Sequence, residues 1–323
     1  METATQVLFA VGTIVLAFAF AAAVGHAVML AAGRRSLTAG LAVGAAGLTG
    51  NPIQPAWAGV ATGSFVDSRA AAASAGPSDF AAPSPLAGAA RWLTIGAFGT
   101  LVASMVIRGL IVGRGPWGNL FEFSVAFAAS ILFGYLVLSR RYPIQSIAFI
   151  PIGVSLALAL YASSLPSNIE PLVPALQNAP LLTIHVGLAM LSYGVFATSF
   201  GAGVAYLIQG KNDRYSWLPS HRVLDSVAYR AVIIGFPIFA TMIILGAWWA
   251  SIAWSRYWGW DPKETWSFIT WVVYAMFLHA RATAGWRGRR AAYIQLIGFG
   301  CLLFNVIGVN IWISGLHSYA GMG

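Results

Sequence analysis

Cysteine and charge are both scarce in this chain of 323 residues. The single cysteine, Cys301, lies within an apolar run, which excludes an internal disulfide, a Cys-x-x-Cys thiol pair and a prosthetic group attached through two cysteines of the chain itself. Charged residues account for 8% of the composition, whereas 59% of the residues are hydrophobic and the mean hydropathy is +0.76. This balance indicates a polytopic α-helical membrane protein without a separate soluble domain.

Apolar runs of about 20 residues recur along the chain, which is the length that a helix needs to cross a bilayer while satisfying its own backbone. They predict eight transmembrane helices, at 7–30, 92–112, 119–138, 144–162, 183–208, 231–251, 266–282 and 292–314. We therefore expect an all-α integral membrane protein with a first helix (1–33), a flexible Ala/Gly-rich cytosolic linker (34–91) and a seven-helix membrane domain (92–323).

Basic residues are distributed unevenly between the predicted loops. The loops after the first, third, fifth and seventh spans contain 14 of the 18 Lys and Arg residues. Under the positive-inside rule these loops face the cytosol, which accounts for the net charge of +9 without a nucleic-acid partner. Both termini, and the segment between the sixth and seventh spans, are therefore predicted to be extracytoplasmic.

Tryptophan is concentrated in the segment 248–266, WWASIAWSRYWGWDPKETW, which we call the tryptophan segment. It holds six of the 13 tryptophans, namely Trp248, Trp249, Trp254, Trp258, Trp260 and Trp266. Flat aromatic faces beside a few fixed charges suit a large planar ligand that carries acidic groups. The alternative is an aromatic belt at the membrane interface, which explains roughly two or three tryptophans per helix end but not six around an Asp-Pro-Lys-Glu turn.

Two of the five histidines are predicted at the same membrane face as the tryptophan segment. His185 opens the fifth span and His317 follows the last one. Two neutral imidazoles on opposite sides of a planar macrocycle hold a low-spin haem iron, so this pair, together with the tryptophans, predicts a haem site. Alternatively, each histidine caps a helix or is an ordinary polar residue of the interface.

A third histidine, His279, is predicted about 20 Å deeper than Trp266 on the seventh span, at 1.5 Å per residue. An ionisable residue within a span is a functional candidate, and His279 shares a helical face with Trp271 and Ala275. It either ligates a second haem or marks the entrance for the first, unless it only bonds to a neighbouring helix. His26 in the first span is its potential partner on this chain.

Five polar residues of the predicted outer surface have candidate supporting roles. Asn119 and Glu122 begin the third span, where Glu122 either caps the helix or orients a histidine or a loop. Asp261 is predicted to be the N-cap of the seventh helix, and it is also a candidate catalytic residue. Arg256 and Lys263 are candidate partners of haem propionates by their charge and position.

These residues carry a resemblance to a known family. The runs WGWDPKETWSFITW, LHAR, GLHSYA and GNLFEF resemble the CcsA (ResC) family of System II cytochrome c biogenesis proteins, within the haem-handling WWD superfamily. The resemblance is strongest over 181–320 and weaker over 92–162. It implies a multi-pass protein of the bacterial inner membrane, with the tryptophan segment on the extracytoplasmic face.

By this resemblance, His185 and His317 are external haem ligands and His279 is a transmembrane one, whose partner histidine comes from the membrane protein CcsB (ResB) rather than from His26. Together the two proteins form a haem channel and a holocytochrome c synthase, which joins reduced haem b to the Cys-x-x-Cys-His motif of an apocytochrome c. The candidate catalytic residues are His185, His317 and Asp261, and the other candidate haem-binding residues are His279, Arg256, Lys263, Trp254, Trp258, Trp260 and Trp266.

Three other functions remain open on the sequence. An electron-transfer cytochrome b would keep its haem permanently, although such proteins usually bury their histidine pairs within spans. A permease for another substrate would use the tryptophans as its binding site and would bind no haem. A membrane scaffold for assembly would tolerate substitution of the histidines.

Overall fold

The computed structural model of the chain describes residues 2–45, 84–168, 179–210 and 212–317, and every regular element in these ranges is helical. The helices are α1 (Glu2–Ala45), α2 (Pro85–Val112), α3 (Leu120–Ser139), α4 (Phe149–Ser163), α5 (Ala179–Gln209), α6 (His221–Trp254), α7 (Pro262–Thr283) and α8 (Arg289–Leu303). A 3₁₀ turn (Gln145–Ile147) precedes α4, and α8 continues through a π-helical turn (Phe304–Gly308) into the short helix α9 (Val309–Trp312). The predicted all-α fold is confirmed.

Within these ranges, seven helices are long and apolar enough to cross a membrane. They are Glu2–Ala32, Pro85–Val112, Leu120–Ser139, Gln145–Ser163, Pro180–Gln209, His221–Trp254 and Arg289–Gly308, which correspond to seven of the eight predicted spans. The eighth, 266–282, lies in α7, whose 22 residues make a helix of about 33 Å. Its length is therefore sufficient, but its first and last turns carry charges and it is not among the helices apolar enough to cross a membrane.

Helix enters both ends of the predicted linker 34–91, because α1 continues to Ala45 and α2 begins at Pro85. Ser84 is the N-cap of α2, with its Oγ accepting a hydrogen bond from the backbone N–H of Ala87 at 3.1 Å. Pro85 follows at the first helical position, where no backbone donor is needed. The remainder of the predicted linker, 46–83, lies outside the described residues, and the linker stays a prediction.

The helices form one bundle in which α5 packs most extensively on α6, and α1 on α2. Helix α3 lies against α2, α4 and α5, while α7 packs on α8 and α6. Glycines bring α3 and α5 into backbone contact: a Cβ on Gly194 would lie 2.1 Å from the carbonyl oxygen of Ser130. Such close approach is how small residues stabilise helix pairs where no water is available.

Both ends of the described chain lie at one end of this bundle. Near the N-terminus, Gln6 Nε2 is 3.3 Å from Ser167 Oγ, in the loop that follows α4. The neighbouring carbonyl of Asn168 accepts a hydrogen bond from Asn119, which lines the same cavity as His317. The prediction that this end is extracytoplasmic rests on the basic loops and stays a prediction.

Candidate functional site

The turn between α6 and α7 is held in one conformation by a capping box. Asp261 is the N-cap of α7, and Glu264 Oε2 accepts hydrogen bonds from the backbone N–H groups of Asp261 (3.1 Å) and Gly259 (2.8 Å). Two non-glycine residues of the turn, Ser255 and Trp260, have positive φ angles of 58° and 56°. Such backbone costs about 1 kcal/mol or more per residue, so the cap and the packing of the indoles must hold it.

Asp261 also binds the C-terminal segment. Its Oδ2 accepts a hydrogen bond from His317 Nδ1 at 2.7 Å, and its Oδ1 accepts one from the backbone N–H of Leu316 at 2.5 Å. Burial raises the pKa of this carboxyl, but the hydrogen bond and charge of His317, with the N–H groups of Leu316 and Lys263, hold the pKa below its usual value. The sequence predicted the cap but not this contact.

His185 is held in a comparable way from the other side. Its Nδ1 donates a hydrogen bond to the carbonyl oxygen of Met242 at 2.9 Å. The ring lies directly against the backbone of Gly246, because a Cβ at that position would be 2.5 Å from His185 Cε1. In both histidines the Nδ1 partner is an acceptor, so Nδ1 carries the proton and the lone pair is on Nε2. This is the tautomer that a ligand of iron through Nε2 requires.

Trp249 contacts both histidine rings and is a site residue that the sequence analysis did not single out. Its ring centroid is 6.4 Å from that of His185, with the two planes 11° apart, and 5.9 Å from that of His317. Trp254 packs edge-on against Trp249 and His317, at 4.7 and 4.8 Å. The signal was present in the helical spacing, because Met242, Gly246 and Trp249 share one face of α6.

The two histidines open onto one cavity with a volume of about 450 Å³. This is within the range of roughly 300–1,000 Å³ that is usual for small-molecule sites. Helices α3, α5, α6 and α7 and the π-helical turn form its walls. Five of the predicted site residues line it, namely His185, His317, Trp258, Lys263 and Asn119. The lining residues that the sequence analysis did not single out include Trp117, Trp249 and Glu264.

Lys263 is the cation of this cavity, three residues before the predicted span begins. Burial lowers the pKa of Lys263 to about 8, against the opposing effect of the Asp261 carboxylate. Among the described residues Lys263 forms no ion pair, and the oxygens of Asp261 already accept three hydrogen bonds from other groups. The ammonium is therefore available to an anionic ligand.

Four predicted haem-binding residues of the tryptophan segment do not line the cavity, namely Trp254, Trp260, Trp266 and Arg256. Trp260 is 66% exposed and packs edge-on against Trp258. Trp266 packs against Phe304 of the π-helical turn, with 4.3 Å between the ring centroids. Arg256 is exposed, and its guanidinium lies against Gly259. These residues surround the site without forming its wall.

His279 and His26 lie away from the cavity. His279 is exposed on α7, whose neighbours are α6 and α8, and its role as a haem ligand stays a prediction. His26 is buried on α1, which packs on α2 and α4, and its Nδ1 is 2.7 Å from Ser84 Oγ. The two histidines are therefore on helices with different neighbours, which gives no support to His26 as the partner of His279.

Glu122 holds a loop rather than a histidine. It is completely buried, and its carboxylate accepts hydrogen bonds from Arg108 Nε (2.6 Å), Arg114 Nη1 (3.2 Å) and the backbone N–H of Gly118 (2.6 Å). Asn119 is the N-cap of α3, accepting from the N–H of Glu122 at 2.9 Å. Of the sequence-based alternatives, these contacts support orientation of the loop 113–118, which carries Trp117 into the cavity wall.

A family model and individual relatives of this chain indicate the same protein family. Residues 117–317 match the family described as Cytochrome C assembly protein. The chain is 34% identical over 235 residues to the cytochrome c biogenesis protein CcsA of Mesostigma viride, with 63% of this chain and 77% of the relative covered. It is also 34% identical over 261 residues to CcsA of Prochlorococcus marinus (strain MIT 9301), with 72% and 84% covered.

A solved structure with a similar fold is Cytochrome c Heme Lyase CcmF, at a TM-score of 0.59 and 17% sequence identity. The similarity covers 93% of this chain but 46% of CcmF, and at this identity it concerns the fold alone. All residues that line the cavity fall within the matched range 117–317. The chain therefore belongs to the cytochrome c assembly protein family, among its CcsA members.

Proposed function

We propose that this cytochrome c assembly protein binds haem b in the cavity, with its iron ligated by His185 and His317, and presents it for attachment to an apocytochrome c. The observation that carries the proposal is the arrangement of these two histidines. They lie more than a hundred residues apart in the sequence, line one cavity, and each donates Nδ1–H to a protein oxygen. A hydrogen-bonded Nδ1 fixes the ring and strengthens Nε2 as a metal ligand.

The walls of the cavity support a planar, acidic ligand. Trp249 and Trp258 provide aromatic surface, and Lys263 provides a positive charge for a propionate. Haem combines an apolar macrocycle with two carboxylates and an iron that takes two axial imidazoles, so it needs each of these features. A permease substrate without a metal would not require two histidines with oriented rings.

Haem is the substrate of the proposed reaction, which is the addition of a cysteine S–H across a vinyl group. The sulfur bonds to one vinyl carbon and the hydrogen to the other, so nothing leaves and no electrons are lost. The chain needs no acid–base group of its own for this step. Its contribution is to hold the macrocycle so that the vinyl groups meet the incoming thiols, which is catalysis by orientation.

The proposed partner in the membrane is CcsB. His279 is exposed on α7, so its imidazole is accessible to a helix of another chain without a rearrangement of this bundle. The resemblance of the LHAR run assigns this position to haem on its way from the cytosolic side. Haem would then reach the outer cavity, on the extracytoplasmic face of a bacterial inner membrane, where an exported apocytochrome c is available.

An absorption spectrum of the detergent-purified protein, co-expressed with CcsB and recorded before and after dithionite, tests the proposal. We expect reduced α and β bands that are lost or shifted in His185→Ala and His317→Ala, together with loss of holocytochrome c assembly. His221→Ala is the matched control, because His221 lies at the opposite end of α6, 3.1 Å from Asp213. Normal spectra and assembly in both site variants would contradict the proposal.

The same preparation separates the alternatives. A permease for another substrate predicts that no haem is purified with the wild-type protein. A permanent cytochrome b predicts that haem stays on the protein when apocytochrome c is supplied. A scaffold predicts bound haem but normal assembly in the histidine variants.

A further inference from the structure

One wall of the cavity contains a buried amide oxygen that has no hydrogen-bond partner among the described residues. The π-helical turn Phe304–Gly308 interrupts the last helix, and Asn305 on this turn lines the cavity while being only 3% exposed. Its Nδ2 donates to Ser267 Oγ at 2.8 Å, but its Oδ1 is buried without a partner. A buried polar atom left in this state costs about 1–3 kcal/mol, and π-helical turns are frequent at functional sites. The amide therefore points to a ligand.

Ser267 connects this amide to the cation of the cavity. Lys263 and Ser267 are separated by four residues on α7, so they lie one above the other on the same helical face, and both line the cavity. Lys263, Ser267 and Asn305 thus form a polar strip beside the apolar Val306 and Ile307. The neighbouring Glu264 also lines the cavity, and its Oε2 accepts hydrogen bonds from the backbone N–H groups of Gly259 and Asp261. Among the described contacts, the Asp261 carboxylate accepts from the backbone N–H of Lys263, but no acidic side chain bonds to the Lys263 ammonium or to the side chains of Ser267 and Asn305.

The chemistry of the strip suits an anionic oxygen. A half-turn of the Asn305 amide about its Cβ–Cγ bond lets the Ser267 hydroxyl donate to Oδ1 and places the Nδ2 hydrogens at the buried position without a partner. The strip then offers an ammonium and an amide donor, and the hydroxyl holds the amide in place. A charged acceptor between such donors forms the stronger, charge-assisted type of hydrogen bond.

We propose that Lys263, Ser267 and Asn305 form a carboxylate seat, which receives one acidic side chain of the bound macrocycle and so fixes its rotation about the axis through the two histidines. This inference rests on the proposed function and goes beyond it. Axial ligation by His185 and His317 leaves the ring free to turn in its plane, whereas the attachment reaction requires each vinyl group at a defined place. A fixed carboxylate at one edge provides that register.

The test compares haem with its dimethyl ester, which keeps the iron, ring and vinyl groups but has no carboxylate. Both are titrated into the purified complex with CcsB, for the wild type, Lys263→Met and Asn305→Asp. The Asp variant keeps the size of the side chain and places a repelling charge in the seat. Ser251→Ala is the control, because the Ser251 hydroxyl bonds within α6 to the carbonyl of Trp248 and does not line the cavity.

We expect each seat variant to weaken haem binding by about tenfold or more relative to the wild type, while binding of the dimethyl ester changes little. Retained ester binding also shows that the variant is folded. An unchanged ratio of haem to ester affinity in both variants would overturn the seat and leave the bis-histidine site intact. Absence of haem and ester binding in the wild type would instead overturn the proposed function, and the seat with it.

Discussion

The carboxylate of Asp261 joins the start of α7 to the imidazole of His317, with 2.7 Å between Oδ2 and Nδ1. The residue that caps the helix therefore also orients a candidate iron ligand from a segment more than fifty residues further along the chain. Because the same carboxylate receives the Leu316 backbone, the position of His317 depends on the fold of the tryptophan segment. Local folding and ligand geometry are coupled through one side chain.

Asp261→Asn separates these two roles. Asparagine is as good an N-cap as aspartate, so α7 should remain capped, but a neutral amide cannot strengthen His317 as a ligand. We expect haem affinity to fall by about 10–100-fold while the helix content stays unchanged. A haem titration combined with far-ultraviolet circular dichroism measures both quantities.

Asp213→Asn is the matched control for this variant, since Asp213 also contacts a histidine, His221, at the other end of α6. It should leave haem binding unchanged. If the two variants bind haem equally well, Asp261 has no influence on the iron site and its role is limited to the cap.

The local part of this arrangement could be predicted from the sequence. The order Asp-Pro-x-Glu specifies an N-cap, a proline at the first helical position and a capping box, and all three are present at 261–264. The membrane-spanning helices could also be predicted, because each requires a long run of apolar residues. The positive-inside rule placed His185, His317 and Lys263 at one predicted membrane face, and the three residues line one cavity, while their role at a haem site stays a prediction.

The contacts between distant segments could not be predicted. Nothing local indicates that His185 donates to the Met242 carbonyl or that Asp261 accepts from His317, because each contact joins two segments more than fifty residues apart in sequence. For the same reason the partners of Glu122 could not be predicted. The sequence shows only that it lies near a helix start, whereas the structure shows that it binds two arginines and a loop. The sequence could not distinguish Trp249 from the other five tryptophans of the segment, because it does not show how deeply each one is buried.

Trp249→Phe tests the indole that contacts both histidines. Trp249 is 1% exposed, so the smaller ring leaves a cavity beside the two candidate ligands, and we expect a loss of about 1–3 kcal/mol in stability with broadened haem bands. Thermal unfolding in detergent and the reduced spectrum measure these effects. Trp248→Phe is the control: Trp248 is 54% exposed, and its replacement should change stability by no more than about 0.5 kcal/mol.

The pKa of Lys263, lowered to about 8 by burial, predicts a pH dependence of haem binding. Below that pH the amine is protonated with or without a ligand, so affinity should not depend on this group. Above it the free protein loses the proton while a bound carboxylate favours keeping it, so binding takes up a proton and weakens by at most about tenfold per pH unit. Titrations from about pH 7 to about pH 10 measure the slope.

Lys263→Met should remove this slope, and a slope that persists in the variant would assign it to another group. The stability of the free protein should change in the opposite sense. Between the folded pKa of about 8 and the ordinary value of 10.5, the unfolded chain holds the proton and the folded chain does not, so folding becomes more favourable as the pH rises.

Gly246→Ala provides the sharpest steric test of the iron site. A Cβ at this position would lie 2.5 Å from His185 Cε1 and 3.0 Å from its Nδ1, and the ring is tied to the carbonyl of Met242 one turn earlier on α6. The imidazole must therefore move, which displaces Nε2 from the position in which we propose that it binds iron. We expect loss of the bis-histidine spectrum and of cytochrome c assembly, with α6 intact because alanine is a better helix former than glycine. Gly99→Ala is the matched control, since a Cβ there meets nothing within 4 Å. If the Gly246→Ala and Gly99→Ala variants have equal spectra, His185 does not need this close contact to bind haem.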